Sequence, residues 1–298
     1  MSSLLLLVTC FLLGVVVARV GKPPRGLAQG LNWWVINVAL PALILQLIAG
    51  LHVDRDLWFL VASMWFVFLG AWGFFAVIGR VLHWSRERIG ALTLTCGFGN
   101  TSFIGFPLIE ALRGEDALKL AVVADQAGCF LALATGGTIV AALYSGGRIE
   151  TSAIARRIVF FPPFAALVIG LIVGAGGGWP EFVEPVLSRI GATLVPLALF
   201  SVGLQFRLGF AREQQAPIAL GLGWKLLLAP AIVYVVGSLL QTSGPILSIA
   251  VLEAAMAPMI SAAIMAEQND LEPSLANAIL GIGIVLSFLT VPLANALL

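Results

Sequence analysis

Charge is what this sequence has least of. Only 10% of its 298 residues are Asp, Glu, Lys or Arg, and the 16 basic and 15 acidic side chains nearly cancel. No soluble domain of this length pairs so little charge with 60% hydrophobic residues, so the chain reads as a polytopic membrane protein. Basic runs with interleaved aromatics are missing, so nothing points to nucleic acid as a partner. Cysteine and histidine are scarce too. Cys10, Cys96 and Cys129 fall within apolar segments and lack metal-ligand spacing, which argues against a disulfide framework and against a metal site. His52 and His83 lie between the apolar runs, so neither is placed for catalysis or metal binding. One deep aspartate without a deep histidine leaves no pair for an intramembrane protease. Nothing resembles a nucleotide-binding loop. The chain is expected to be no enzyme and to need no cofactor.

What is abundant is apolar sequence, cut by charged punctuation into ten expected spans: 3–19, 30–50, 57–79, 88–112, 117–143, 158–176, 187–206, 214–240, 245–266 and 273–297. The first run lacks the basic start and small-residue cleavage pattern of a signal peptide, and is expected to be the first span. Span three carries an aromatic face (Trp58, Trp65, Phe66, Phe68, Trp72, Phe74, Phe75) that is expected to meet lipid or a neighbouring scaffold. Gly170, Gly174 and Gly178 recur at every fourth position in and after span six. Such a ladder permits close helix approach, either within one subunit or at a dimer seam.

Span four is interrupted. CGFGNTSFIGFPL, residues 96–108, places Gly97, Gly99, Gly105, Pro107 and the polar Asn100-Thr101-Ser102 group in the middle of an apolar run. Unpaired backbone groups at membrane depth cost several kcal/mol each. A broken helix therefore persists there only where protein buries it or where it lines a watery cavity, and its half-helix ends suit an anion or a coupling ion.

A counterpart lies about half the chain away. Pro41 and Pro196 sit in the second span of each half, 155 residues apart; Pro107 and Pro258 sit in the fourth, 151 residues apart. Five spans per half is an odd number, so the second copy enters the membrane inverted. The expected fold is all-α, ten transmembrane helices as two inverted five-helix repeats, 1–145 and 146–298, with broken helices 4 and 9. Interrupted segments at matching places in inverted halves point to a transporter site near the midplane. The loops after odd-numbered spans hold eleven basic residues (Arg19, Lys22, Arg25, Arg80, Arg86, Arg88, Arg148, Arg156, Arg157, Arg207, Arg212). The opposite loops hold Arg55, Arg113, Lys119 and Arg189. That bias puts both termini outside.

GNTSFIGFPLIEAL, with EAAMAPMISAAIMAEQNDLEPSLANAIL in the second half, resembles the auxin efflux carrier family of plant auxin carriers and bacterial carboxylate permeases. VALPALILQLIAG, LVPLALFSVGLQF and WKLLLAPAIV fit the same pattern, so the likeness covers essentially the whole chain. The mid-chain loop is only about a dozen residues, which fits a compact bacterial-type permease of the cytoplasmic (inner) membrane. The resemblance implies a scaffold of spans 1, 2, 6 and 7 that forms a homodimer, a mobile transport domain of spans 3–5 and 8–10, and a substrate site where spans 4 and 9 cross. On this chain it implies that Asn100, Thr101, Gly105 and Pro107 make one half of the crossing, and Ala257, Pro258, Met259 and Ser261 the other. Where family members often carry a second asparagine, the nearby polar residue here is Ser261.

Several of these residues admit two readings. Asn100 offers two donors and an acceptor to a carboxylate or ion; as interhelical glue it would contribute about 0.6 kcal/mol. Asp125 is either a proton-coupling carboxylate or the structural partner of Lys225, which also adds positive charge for an anion. Glu253 is either a sensor of protons or sodium or a hydrogen-bonded structural acid. Gln126, next to Asp125, is expected to point elsewhere on the helix, and Glu110 is expected at the membrane interface. The leading expectation is a secondary transporter of a small organic anion, a carboxylate, driven by an ion gradient of protons or sodium. A bile-acid-symporter-like or cation/proton antiporter and a non-transporting membrane sensor are the alternatives.

Overall fold

The computed structural model describes residues 2–51, 55–147, 151–206 and 212–298. His52, Arg148 and Arg207, used in the sequence reading, lie outside the described residues. The protein is all-helical, 84% helix, with no strand among the described residues. In chain order the helices are α1 (Ser2–Val20), α2 (Leu27–Ile48), α3 (Trp58–Val81), α4 (Arg86–Gly97), α5 (Phe106–Arg113), α6 (Glu115–Ser145), α7 (Thr151–Val159), α8 (Pro162–Ala175), α9 (Glu184–Gln205), α10 (Gln215–Leu239), α11 (Gly244–Ala254), α12 (Ile260–Gln268) and α13 (Pro273–Leu297).

Six of these are long and apolar enough to cross a membrane: α2, α3 with its leading 3₁₀ turn from Arg55, α6, α9, α10 and α13. They fall in the expected second, third, fifth, seventh, eighth and tenth spans. α1, α8 and α11 are apolar but shorter. The expected fourth span is divided into α4 and α5, and the ninth into α11 and α12. Proline and glycine account for both divisions: Pro258 donates no backbone hydrogen bond, and the glycines around Phe98 give no side-chain preference for helix.

Two compact units make up the chain. The first consists of Met1–Asp54, Ser102–Val122 and Arg156–Phe206. In it α1 packs along the Leu194–Gln205 half of α9. Gly14 and Gly203 make that crossing possible, since a Cβ on Gly14 would stand 2.9 Å from the Gly203 Cα. The Leu40–Ile48 half of α2 is held by α8 and by Glu184–Gly191 of α9. Two rungs of the glycine ladder are spent here, inside one chain. A Cβ on Gly170 would meet Ile48 at 3.1 Å, and one on Gly174 would meet the Ala49 Cα at 3.2 Å. Gly178 has φ 93° and open space about it, so it serves a turn.

The second unit consists of Arg55–Thr101, Val123–Ala155 and Arg207–Leu298. α3 is its central helix, packed against α4, α11 and the middle of α6. This corrects the expectation for two residues of its aromatic face, Phe68 and Phe75. Phe59, Phe68 and Phe75 are fully buried inside the unit, while Trp58 and Phe66 stay exposed. Aromatic residues at three- and four-residue spacing cover more than one face of a helix, so composition alone does not separate the inward rings from the outward ones.

Candidate functional site

α4 begins at Ser85, whose hydroxyl accepts a hydrogen bond from the Arg88 backbone N–H. It ends at Gly97, where Phe98 turns to extended backbone (φ −121°, ψ 138°). α11 ends at Ala254 with Ala255 still near-helical (φ −82°, ψ −6°), and the chain is extended at Met259 (φ −79°, ψ 129°) before α12 starts. The two extended stretches pair. Gly99 and Pro258 form an antiparallel bridge, in which the Asn100 N–H donates to the Ala257 carbonyl at 2.7 Å and the Met259 N–H donates to the Phe98 carbonyl at 3.1 Å. Each break thus supplies the partners the other lost, which is the condition for broken helix at membrane depth.

Around this bridge lies a cluster of buried polar groups. The Thr101 hydroxyl donates to one carboxylate oxygen of Asp125, and the Gln126 side-chain amide donates to the other. Here the sequence expectation for Gln126 is corrected. Ala124–Phe130 is a π-helical turn, and its wider winding puts neighbouring side chains where a regular helix would not. Lys225 also sits in a π turn, Trp224–Leu228, and is 1% exposed. Its ammonium donates at 2.9 Å to the carbonyl of Ala254. That carbonyl belongs to the last turn of α11, where the helix dipole favours a cation. Cys129 donates from Sγ to the Gly99 carbonyl at 3.5 Å. A Cβ on Gly99 would stand 3.1 Å from both Lys225 Nζ and the Glu253 carbonyl oxygen. Glu253 is fully buried, and among the described residues neither of its carboxylate oxygens has a hydrogen-bond partner.

Asn100, Thr101, Pro258, Met259, Asp125, Lys225 and Glu253 therefore share one unit and gather at or beside the bridge. Asn100 and Thr101 are buried; Met259 is half-buried, and so is Ser261 in the first turn of α12. Gly105 closes the π turn Thr101–Gly105, and Pro107 opens α5; both are buried and both belong to the first unit. In that unit Pro107 lines a cavity of about 340 Å³ with Gln46, Glu110, Leu43 and Pro196. Glu110 is exposed.

Sequence reasoning missed the supports of the bridge. Phe98 stacks on Phe68 with ring centroids 4.8 Å apart and planes at 19°, so α3 backs the break through one aromatic pair. Cys129 and Gln126 are the others. The available signal was indirect: each lies within five residues of Asp125, on the same turn of α6. Among the described residues no group of three or more His, Cys, Asp or Glu side chains is arranged to hold a metal ion.

Comparison with known proteins places the chain among membrane transport proteins. The family described as membrane transport protein matches the chain twice, over residues 1–154 and again over 148–294. An uncharacterized transporter of Methanothermobacter thermautotrophicus is 31% identical, with 100% of this chain and 98% of that protein aligned. A protein of Rhizobium meliloti, provisionally named a malonate transporter, is 27% identical over 94% of this chain and 89% of its own length. An uncharacterized transporter of Methanocaldococcus jannaschii is 24% identical over 89% and 88% of the two chains. This chain belongs to the auxin efflux carrier family of membrane transport proteins.

Proposed function

We propose that the protein is a secondary transporter of a small organic anion, a mono- or dicarboxylate such as malonate, working by alternating access with its site at the bridge between α4 and α11–α12. The observation that carries the reading is the pair of backbone hydrogen bonds joining Asn100 to Ala257 and Met259 to Phe98. A bridge of that kind puts helix ends, Asn100 and Thr101 beside one another at a break, and free helix N-termini favour anions. Lys225 adds a buried positive charge in the same cluster.

In this reading the chain is two inverted five-helix repeats, 1–145 and 146–298, with spans 1, 2, 6 and 7 as a scaffold that dimerises and spans 3–5 and 8–10 as the moving part. The matching places of Pro41 and Pro196, and of Pro107 and Pro258, support the repeat. Both termini face outward and the membrane is the bacterial cytoplasmic one. The ion pair between Arg88 and Glu272, at 3.0 Å, supports that topology, because it joins two loops assigned to the same cytoplasmic side. The substrate contacts are Asn100, Thr101, Gly105, Pro107, Pro258, Met259 and Ser261. Asp125, Lys225 and Glu253 form the ion-coupling group, for a proton or sodium.

Electrogenic uptake on a solid-supported membrane tests the proposal, with a panel of carboxylates and with sodium and pH gradients applied separately. Native proteoliposomes should give a current for at least one acid. Asn100→Ala should reduce it about tenfold or more, the effect of losing a ligand contact worth 1–3 kcal/mol in a buried site. Binding of a carboxylate without any current would instead make the protein a membrane sensor.

A further inference from the structure

We propose that Glu253 is the carboxyl group that carries the coupling proton, and that Asp125 is a fixed acid that holds the break in shape. The inference rests on the carboxylate-transport reading for its substrate, and it assigns the coupling ion and separates the roles of the two buried acids.

The two groups share one cluster but meet opposite surroundings. Asp125 has a donor on each oxygen, the Thr101 hydroxyl and the Gln126 amide. An ionised carboxylate accepts hydrogen bonds and donates none, so these two donors suit the charged form. They also tie α6 to the residue that follows the bridge. Asp125 is in this sense a strut between Thr101 and its own helix.

Glu253 lies in the last full turn of α11 and is 0% exposed. Among the described residues no donor reaches either of its oxygens. The nearest cation, Lys225, spends its hydrogen bond on the backbone carbonyl of Ala254. The charged groups that face Glu253 are Asp125 and Lys225, with the thiols of Cys96 and Cys129 beside Lys225. An ionised carboxylate buried with no donor is far more costly than the neutral acid. The closed cluster therefore accommodates Glu253 as a carboxylic acid, with the proton on one of its own oxygens. Once the bridge region opens to water on one side, the acid dissociates to carboxylate and a proton enters that aqueous phase. Lys225 then stabilises the carboxylate left behind. Closure over a bound substrate anion requires a proton to return to Glu253, so the loaded closing carries one. The empty carrier resets with the Lys225 ammonium turned from the Ala254 carbonyl to the Glu253 carboxylate, and no proton is carried back. Sodium is the poorer occupant, because Lys225 already places a positive charge in the cluster.

Infrared difference spectroscopy on the purified full chain tests this without any substrate. At neutral pH the native protein should show a protonated-carboxyl C=O stretch, shifted in heavy water. E253Q should abolish it and D125N should retain it. Absence of the band from the native protein, or its survival in E253Q, would overturn the assignment, and its loss in D125N alone would transfer the proton to Asp125. E253D provides the control if E253Q does not fold: the band should move, and an unmoved band counts against Glu253. In proteoliposomes with an entrapped pH dye, malonate entry should carry protons with the native protein, and the proton-to-malonate ratio should fall to background in E253Q. Native malonate entry without protons would overturn the inference and leave the transport reading standing. A native protein that moves no carboxylate yet shows the band and its loss in E253Q would sink the transport reading and leave Glu253 as the buried acid.

Discussion

Gly99 sits where a side chain would touch the two groups that define the cluster, 3.1 Å from Lys225 Nζ and from the Glu253 carbonyl oxygen. The carbonyl oxygen is backbone and cannot move aside alone. Gly99→Ala should therefore destabilise the protein by about 1–3 kcal/mol, the usual range for overpacking a well-filled interior. Gly73 on α3 is the control, because a Cβ there meets nothing within 4 Å. Gly73→Ala should be neutral or stabilising by up to about 1 kcal/mol, since alanine loses less backbone freedom in a helix. Thermal unfolding in detergent separates the two variants, and equal melting temperatures would mean that Gly99 is not tightly packed. At this scale the sequence was informative where chemistry was unusual for its place. Asn100, Asp125, Lys225 and Glu253 stood out because polar groups are rare among apolar neighbours. Gln126 did not, because its position on the helix was judged from regular winding and the π turn Ala124–Phe130 changes that winding.

At the scale of elements, α1 and the Leu194–Gln205 half of α9 touch backbone to backbone through Gly14 and Gly203. Association of apolar helices in lipid relies on such close packing rather than on leaving water. Gly203→Leu should force these helices apart and lower the melting temperature, with a loss of about 1–3 kcal/mol or more. Gly30 on α2 has open space around it, so Gly30→Leu should leave the melting temperature nearly unchanged. An equal fall in both would remove close packing as the cause. The ladder at Gly170 and Gly174 was legible in the sequence as a close-approach surface, but its partner was not. Spacing alone fits either a second subunit or another helix of the same chain; the Ile48 side chain and the Ala49 backbone fill the space. α3 shows the same limit, since its aromatic residues announced a large packing surface without saying which rings face inward.

For the whole molecule, orientation is the property that chemical labelling reads most directly. In a background with Cys10, Cys96 and Cys129 replaced, Ser85→Cys and Glu267→Cys should react with an impermeant maleimide only from the cytoplasmic side. Asp116→Cys, on a side chain 96% exposed, should react only from outside. Reaction of Ser85→Cys and Glu267→Cys from opposite sides would break the inverted topology, since these loops flank the Arg88–Glu272 pair.

Composition and hydropathy alone determined that the chain belongs in a membrane, because 60% hydrophobic and 10% charged residues leave no water-facing surface for a soluble fold. Proline and glycine spacing located the two interruptions, since those residues act through local backbone geometry that a sequence displays. Only the tertiary structure decided what the interruptions do to each other. Hydrogen bonds between residues more than 150 positions apart, such as Asn100 to Ala257, depend on which helix lies beside which. The surroundings of the buried acids were hidden for the same reason. Asp125 and Glu253 are both carboxylates in apolar sequence, and what distinguishes them is a pair of donors that folding brings to one and withholds from the other.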